Sequence, residues 1–314
     1  MPRICLCCGK KLEDSAPYSW HSSCIRRFFG SDRLPEIDLD DAIADSLAKN
    51  NVSQGNVVTG VQKKLSVTLS HPGNRKTVPY GVEYIIKTGD GEKPYLPEYE
   101  FVGMALASLC GFKTVPFGLI RSRQGTPIYI CRRIDRAYQN GTRTKIPMED
   151  FAQLSLMQTE YKYDGSYEGC AKQVIDRFSS NPTLDKIEFF RMVFFSYLIG
   201  NTDMHRKNYS LYDTGKGYVL TPFYDILPVL MVVSQTEMAL TIHGKRKNVT
   251  LKDFLLFGES IGIQRTLGQK LVRLILGKVD AMKEFVLSAP LPEEKKKGLI
   301  ALIEKRSLPF LSGK

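Results

Sequence analysis

The chain is predicted to fold as an α+β protein of two lobes, a small β-rich lobe followed by a larger helical one. Two observations give the class. Strand signals crowd into residues 65–133 around a single helix, and helical patterns dominate from there to the C-terminus. A third marks what the lobes enclose. The stretch Asn201-Thr202-Asp203-Met204-His205-Arg206-Lys207-Asn208 sets an Asp five residues before an Asn, and Asp225 follows beyond a short hairpin.

Taken in order, residues 1–30 are a compact unit rich in Cys, His and aromatic side chains, and 31–134 and 135–314 are the small and helical lobes. Residues 31–50 read as an acidic amphipathic helix with Leu34, Ile37, Ile43 and Leu47 on its apolar side. The stretch 53–62 has turn chemistry at Gly55-Asn56 and at Gly60. Leu65, Val67 and Leu69 alternate with Ser66, Thr68 and Ser70 as a half-buried strand does, and Pro72-Gly73-Asn74 makes a turn. Tyr84-Ile85-Ile86-Lys87 is a second strand. Glu98–Leu109 reads as a helix closed by Gly111, and Val115–Arg121 with Thr126–Arg133 as a hairpin around Gln124-Gly125. Lys186–Ile199, rich in Phe, reads as a buried helix. Asn208–Phe223 reads as a hairpin turning at Asp213-Thr214-Gly215, and at least two amphipathic helices end the chain, the last after Pro292-Glu293-Glu294.

The formal net charge of +11 favours anionic partners without choosing among them. No run reaches the roughly 20 apolar residues of a membrane-spanning helix, and the N-terminus lacks a basic-then-apolar signal pattern. No membrane association is expected. Synthesis is expected in the cytoplasm, with export of the finished chain left open. Of the seven cysteines, an odd number, four lie in the first 24 residues, which argues against a disulfide scaffold. Cys5-x2-Cys8, then His21-x2-Cys24 after twelve residues, has the spacing of a closed structural Zn2+ site. Cys7 is a substitute for Cys8 in a tighter knuckle, and four free thiols are the alternative. Cys110, Cys131 and Cys170 read as small core filler.

Phosphotransferases of the protein-kinase type place a catalytic Asp five residues before a metal-binding Asn and add a second metal-binding Asp downstream. Asp203 is thus the candidate base, and Asn208 and Asp225 the Mg2+ ligands. His205 packs the loop, and Lys207 either touches the transferred phosphate or is a solvated lysine. Lys87 ends a β-branched strand and is suited to neutralising phosphates, with Glu100 thirteen residues on to orient it. Backbone amides of 53–62, freed by glycine, suit a phosphate loop. Arg132-Arg133-Ile134 is a hinge whose backbone reads an adenine edge, or else a strand end beside a salt bridge at Asp135-Arg136.

The segments Thr59–Ser66, Tyr84–Lys87, Tyr99-Glu100-Phe101, Arg133–Arg136, Glu149–Gln153, Gly200–Asn208 and Leu220–Asp225, in that order, resemble the HipA family of serine/threonine kinase toxins from bacterial toxin–antitoxin modules. The resemblance implies a two-lobed protein-kinase-like fold and the use of ATP and Mg2+. It implies Asp203 as catalytic aspartate, Asn208 and Asp225 on the metal, and Lys87 on the phosphates. Val57, Val58, Thr59, Gly60, Val61 and Gln62 of the phosphate loop join Arg132, Ile134, Gln153, His205 and Lys207 around the nucleotide. Family members phosphorylate Ser or Thr, and their substrate class is aminoacyl-tRNA synthetases. Only about fifty residues precede the loop here, which resembles HipT, the short toxin of tripartite HipBST systems. That form implies a HipS-like small antitoxin and a HipB-like DNA-binding antitoxin, with DNA met only indirectly. Family members also phosphorylate a serine of their own at this loop. Ser53 or Thr59 fills that place here, Ser53 being preferred as a serine at the loop's edge. Two other classes fit less of the chain: a pseudokinase binding module, and a zinc-finger DNA-binding regulator.

Overall fold

A computed structural model describes residues 3–16, 18–35, 64–69, 77–79, 83–89, 93–139, 142–234 and 237–311. The helix expected over 31–50 lies, beyond residue 35, outside the described residues. So do the phosphate loop over 53–62, with Ser53 and Val57 to Gln62, and the turn at Pro72-Gly73-Asn74.

The N-terminal unit opens on a tight turn closed by Cys5 N–H to Lys10 O at 2.8 Å and Gly9 N–H to Cys5 O at 2.9 Å. Gly9 takes φ +71°, a conformation in which only glycine is at ease. Helix α1 (Ser22–Phe29) follows and stops at Gly30, left-handed at φ +64°.

Strands β1 (Lys64–Leu69), β2 (Thr77–Pro79), β3 (Tyr84–Thr88), β4 (Phe117–Arg121) and β5 (Pro127–Arg132) make one antiparallel sheet in the order β2-β1-β3-β5-β4. Its pattern is the one the alternation predicts. Leu65, Val67, Tyr84 and Ile86 are buried, with Ser66 and Ile85 half-buried between them. Helix α2 (Leu96–Leu109) crosses β3, β4 and β5 and is buried along nearly its whole length, as a helix apolar on all sides must be.

The unit at 1–30, expected as a segment of its own, shares one core with this sheet. Strand β4 is the sheet's edge, and an edge strand has unpaired backbone groups to satisfy. Here Leu119 N–H donates to Leu6 O at 2.8 Å and Leu119 O accepts from Trp20 Nε1 at 2.9 Å. Gly118 makes room for the indole, since a Cβ there would lie 2.2 Å from Trp20 Cζ2.

The helical lobe is built on α3 (Pro182–Leu198), which begins four residues earlier than the sequence suggested, with a proline in its first turn. Its Phe189, Phe190, Phe194 and Phe195 are fully buried. Helices α4 (Leu251–Ser260), α5 (Arg265–Leu276), α6 (Val279–Ser288) and α7 (Glu293–Leu311) complete the lobe. A hairpin of β6 (Arg136–Gln139) and β7 (Thr142–Lys145) leads into it. The expected second hairpin, β9 (Ser210–Asp213) and β10 (Tyr218–Leu220), gains an unforeseen third strand, β8 (Met148–Asp150). A π-wound stretch, Ala171–Ile175, was also unforeseen.

The lobes meet away from the hinge as well. Phe112, just after α2, packs its ring 5.1 Å from Phe195 and 5.4 Å from Phe223. Val115 N–H donates to Phe223 O at 3.0 Å and Phe223 N–H to Lys113 O at 2.8 Å. The turn at Gly9 lies against α6, where a Cβ would fall 2.8 Å from Phe285 Cε2.

Candidate active site

A cleft of about 780 Å³ lies between the lobes and is lined from both. Strand register builds its upper wall. Lys64 on β1 stands directly opposite Lys87 on β3, and directly opposed residues share a face. Two like charges so placed repel, and two carboxylates offset them. Lys87 donates to Glu100 on α2 and to Asp225 Oδ1, and Lys64 Nζ lies 2.9 Å from Asp225 Oδ2. Lys87 and Glu100 are 4% and 1% exposed, so this pair is held out of water, while Lys64 and Asp225 are half-buried.

Burial sets each titration, and the neighbours then adjust it. Burial alone would raise the Asp225 carboxyl, but the ammonium groups of Lys64 and Lys87 outweigh it and hold Asp225 well below the usual carboxylate range. Burial would lower Lys87, and Asp225 and Glu100 more than reverse this. Glu100 is pushed up to about 7 by burial, against the pull of Lys87. Asp225 sits in the left-handed region at φ +59°, which Asp tolerates better than most side-chain-bearing residues.

The lower wall is the loop after α3. Gly200, at φ +75°, turns the chain where a Cβ would strike Leu302 Cδ2 at 2.7 Å. Buried Arg206 then anchors the loop from beneath, donating to Asp164 O at 3.1 Å and Ser155 Oγ at 3.0 Å. Asp203 Oδ1 accepts from Tyr163 Oη at 2.8 Å. Burial raises the Asp203 carboxyl, and the Tyr163 hydrogen bond opposes the rise. Asn208 Nδ2 donates to Asp203 O at 3.0 Å, which turns its amide oxygen away from the loop. His205 is 6% exposed with its ring edge-on to Tyr163 at 5.1 Å. Burial, then the charge of Lys162, push its imidazole down to about 4, so it is neutral near pH 7.

All ten described residues that the sequence placed at the nucleotide or the chemistry line this cleft: Lys87, Glu100, Arg132, Ile134, Gln153, Asp203, His205, Lys207, Asn208 and Asp225. Details differ from expectation. Lys207 is paired with Asp150 at 3.3 Å rather than freely solvated. The Oε1 of Gln153 accepts from Asp150 N–H at 2.9 Å in a capping box, which fixes the side chain at the start of a short helix. At the hinge, Arg132 N–H donates to Pro116 O and Arg133 N–H to Glu83 O, so neither amide is open to an adenine edge. Arg133 and Arg136 both pair with Asp135, so the salt bridge named as the hinge's alternative reading is present. Cys131 is buried in the core as expected, and it also lines the cleft. Lys64, Tyr163, Asp150 and Arg206 were not singled out. An Asp with two lysines on it cannot be read from spacing, because those contacts span 138 and 161 residues.

A family model for the HipA-like C-terminal domain matches residues 57–284. The chain belongs to that family. Among its relatives is a Haemophilus influenzae protein named as an inferred kinase, 26% identical over 277 residues that cover 78% of this chain and 79% of that one. The serine/threonine-protein kinase toxin HipA of Shewanella oneidensis is 23% identical over 273 residues, and the match covers 78% of this chain and 60% of that toxin. Two solved structures share the fold. One is the HipA of a Shewanella oneidensis complex of HipA, HipB and operator DNA, at TM-score 0.68 and 20% identity over 85% of this chain and 70% of that one. The other is the Helicobacter pylori proinflammatory kinase CtkA, at TM-score 0.55 and 15% identity over 79% of this chain and 94% of that one. The two-lobed fold is thus kinase-like.

Proposed function

We propose that the chain is an ATP-dependent serine/threonine protein kinase and the toxin of a toxin–antitoxin module. The observation that carries this is the meeting in one cleft of Asp203, Asn208 and Asp225 with the Lys87–Glu100 pair, brought from both lobes. ATP is the phosphate donor of this reading. Lys87, held by Glu100, neutralises the phosphates from above. Asp203 takes the proton of a Ser or Thr hydroxyl as its oxygen bonds to the γ-phosphorus and the bond to the ADP oxygen breaks.

The donor set fits Mg2+. Asp225 stays ionised beside its lysines, and the amide oxygen of Asn208 is free of the loop. Bound there, Mg2+ would supply charge neutralisation for the phosphates. Neutral His205, wedged on Tyr163, keeps the Asp203 loop in place.

The test is the intact mass of dephosphorylated protein after incubation with ATP and Mg2+, beside an Asp203→Gln variant. A gain of one phosphate only in the wild-type supports the kinase and places self-modification on the chain, with Ser53 and Thr59 as the residues to sequence. No gain on the chain or on any added protein sinks the reading. The finer reading makes the chain HipT-like, with a HipS-like small antitoxin, a HipB-like DNA-binding antitoxin and an aminoacyl-tRNA synthetase as substrate. Co-purification with the products of neighbouring genes and a screen of purified synthetases for phosphate uptake test it.

A further inference from the structure

We propose that Cys5, Cys8, His21 and Cys24 hold one Zn2+ that fixes the N-terminal unit on the edge of the sheet and, through α1, sets the Arg132 side of the cleft. The four donor atoms lie within 4.8 Å of one another. Tetrahedral Zn2+, with Zn–S near 2.3 Å and Zn–N near 2.0–2.1 Å, spaces its ligand atoms by about 3.5–3.8 Å. Cys8 Sγ and Cys24 Sγ lie 3.4 and 3.9 Å from His21 Nδ1. The second observation concerns the tautomer. His21 Nε2 is 2.9 Å from Lys11 O, and a carbonyl only accepts, so the ring proton sits on Nε2. The lone pair of Nδ1 therefore faces the sulfurs, the arrangement a metal-binding histidine takes when its outer nitrogen is fixed by a carbonyl. Cys7, the alternative ligand, is not among the four.

The described residues of the unit carry one eight-residue helix and a single bridge, Ile4 to Lys11, so a metal would tie together segments that have little secondary structure of their own. The consequence reaches the cleft through one turn of α1. Phe28 follows Cys24 by four residues, on the same side of the helix. Its carbonyl accepts from Tyr84 Oη at 3.2 Å and from the Arg132 guanidinium. That guanidinium lies 5.9 Å from the ring centroids of both Phe28 and Tyr84. Arg132 ends β5 and lines the cleft. The metal, α1, Phe28 and Arg132 are thus one connected support.

The link to nucleotide binding rests on the kinase reading; the metal site does not. The experiment takes the full chain, purified without a metal-binding tag, and measures zinc content, replacement by Co2+, and nucleotide affinity before and after chelation. One zinc per chain, with a tetrahedral thiolate–Co2+ absorption after replacement, is expected. Cys24→Ser should lose the metal and Cys7→Ser keep it. The Co2+ spectrum needs no variant, so misfolding of Cys24→Ser does not rescue the idea. A folded chain that holds neither zinc nor tetrahedral Co2+ overturns the site. Chelation should weaken nucleotide binding several-fold, with a red shift of Trp20 emission as the unit loosens. Loosening with unchanged affinity overturns the coupling. Failure to bind nucleotide before chelation counts against the kinase reading and leaves the zinc result standing.

Discussion

Gly103→Ala adds one methyl group and should remove most of the activity while sparing the fold. Gly103 lies on α2 one turn after Glu100, and a Cβ there would meet Ile226 O at 2.3 Å and Ile226 C at 3.0 Å. Ordinary contact begins near 3.4 Å, so α2 and the Ile226 backbone must part by about 1 Å. Ile226 follows Asp225 directly, and α2 carries Glu100, so the movement falls between the two carboxylates that share Lys87. A misplacement of about 1 Å costs on the order of 10²-fold in rate, about 2.7 kcal/mol of barrier. Stability should change less. Overpacking costs about 1–3 kcal/mol, while alanine regains the roughly 1 kcal/mol that glycine forfeits inside a helix. The assay is single-turnover phosphate incorporation from ATP beside a thermal melt of the same samples. Wild-type turnover in a folded Gly103→Ala protein would refute the argument, because it would show that the Glu100–Lys87–Asp225 geometry does not set the rate.

Other expectations come from the same contacts. Gly118→Ala drives a Cβ to 2.2 Å from a pinned indole, which should cost about 1–3 kcal/mol and lower the melting temperature by several degrees. Trp20 is the only tryptophan, so its emission should shift red; an unchanged spectrum and melt would contradict the docking of the N-terminal unit. Tyr163→Phe removes the hydrogen bond that opposes the burial-driven rise of the Asp203 carboxyl. The acid limb of the rate profile should then move to higher pH, since only ionised Asp203 takes a proton; a limb that stays or moves down would count against Asp203 as base. Glu100 rises from 4.5 to about 7 on folding, so the folded chain holds its proton more tightly than the unfolded chain. Its contribution is full below 4.5 and fades as pH passes about 7. The melting temperature of the wild-type, relative to Glu100→Gln, should therefore fall between those values, and a gap that widens with pH would be the wrong sign.

Much of this was legible where the signal is local. Asp203, Asn208 and the hairpin leading to Asp225 lie within 25 residues, so spacing alone implied one site. Alternation at Leu65–Leu69 gave the strand, and helix α2 was legible from its closing glycine. What was hidden depends on contacts between distant segments. Nothing near Tyr163 announces that its hydroxyl reaches Asp203, forty residues on. Lys64 looks like any lysine opening a strand until the register sets it opposite Lys87. The edge of β4 was equally silent, because its partners are a carbonyl and an indole from the first twenty residues. Strand β8 is three residues long and too short to carry a period.

The joints between the lobes have a mechanical consequence. Two bodies linked at one point can pivot about it. These are linked at the covalent hinge, at the exchange between residues 113–115 and Phe223, and where Gly9 rests on Phe285. A wide swing about the hinge would have to break the contacts at Phe223 and Phe285. On the kinase reading, a nucleotide would enter a cleft whose two walls are tied together at all of these places.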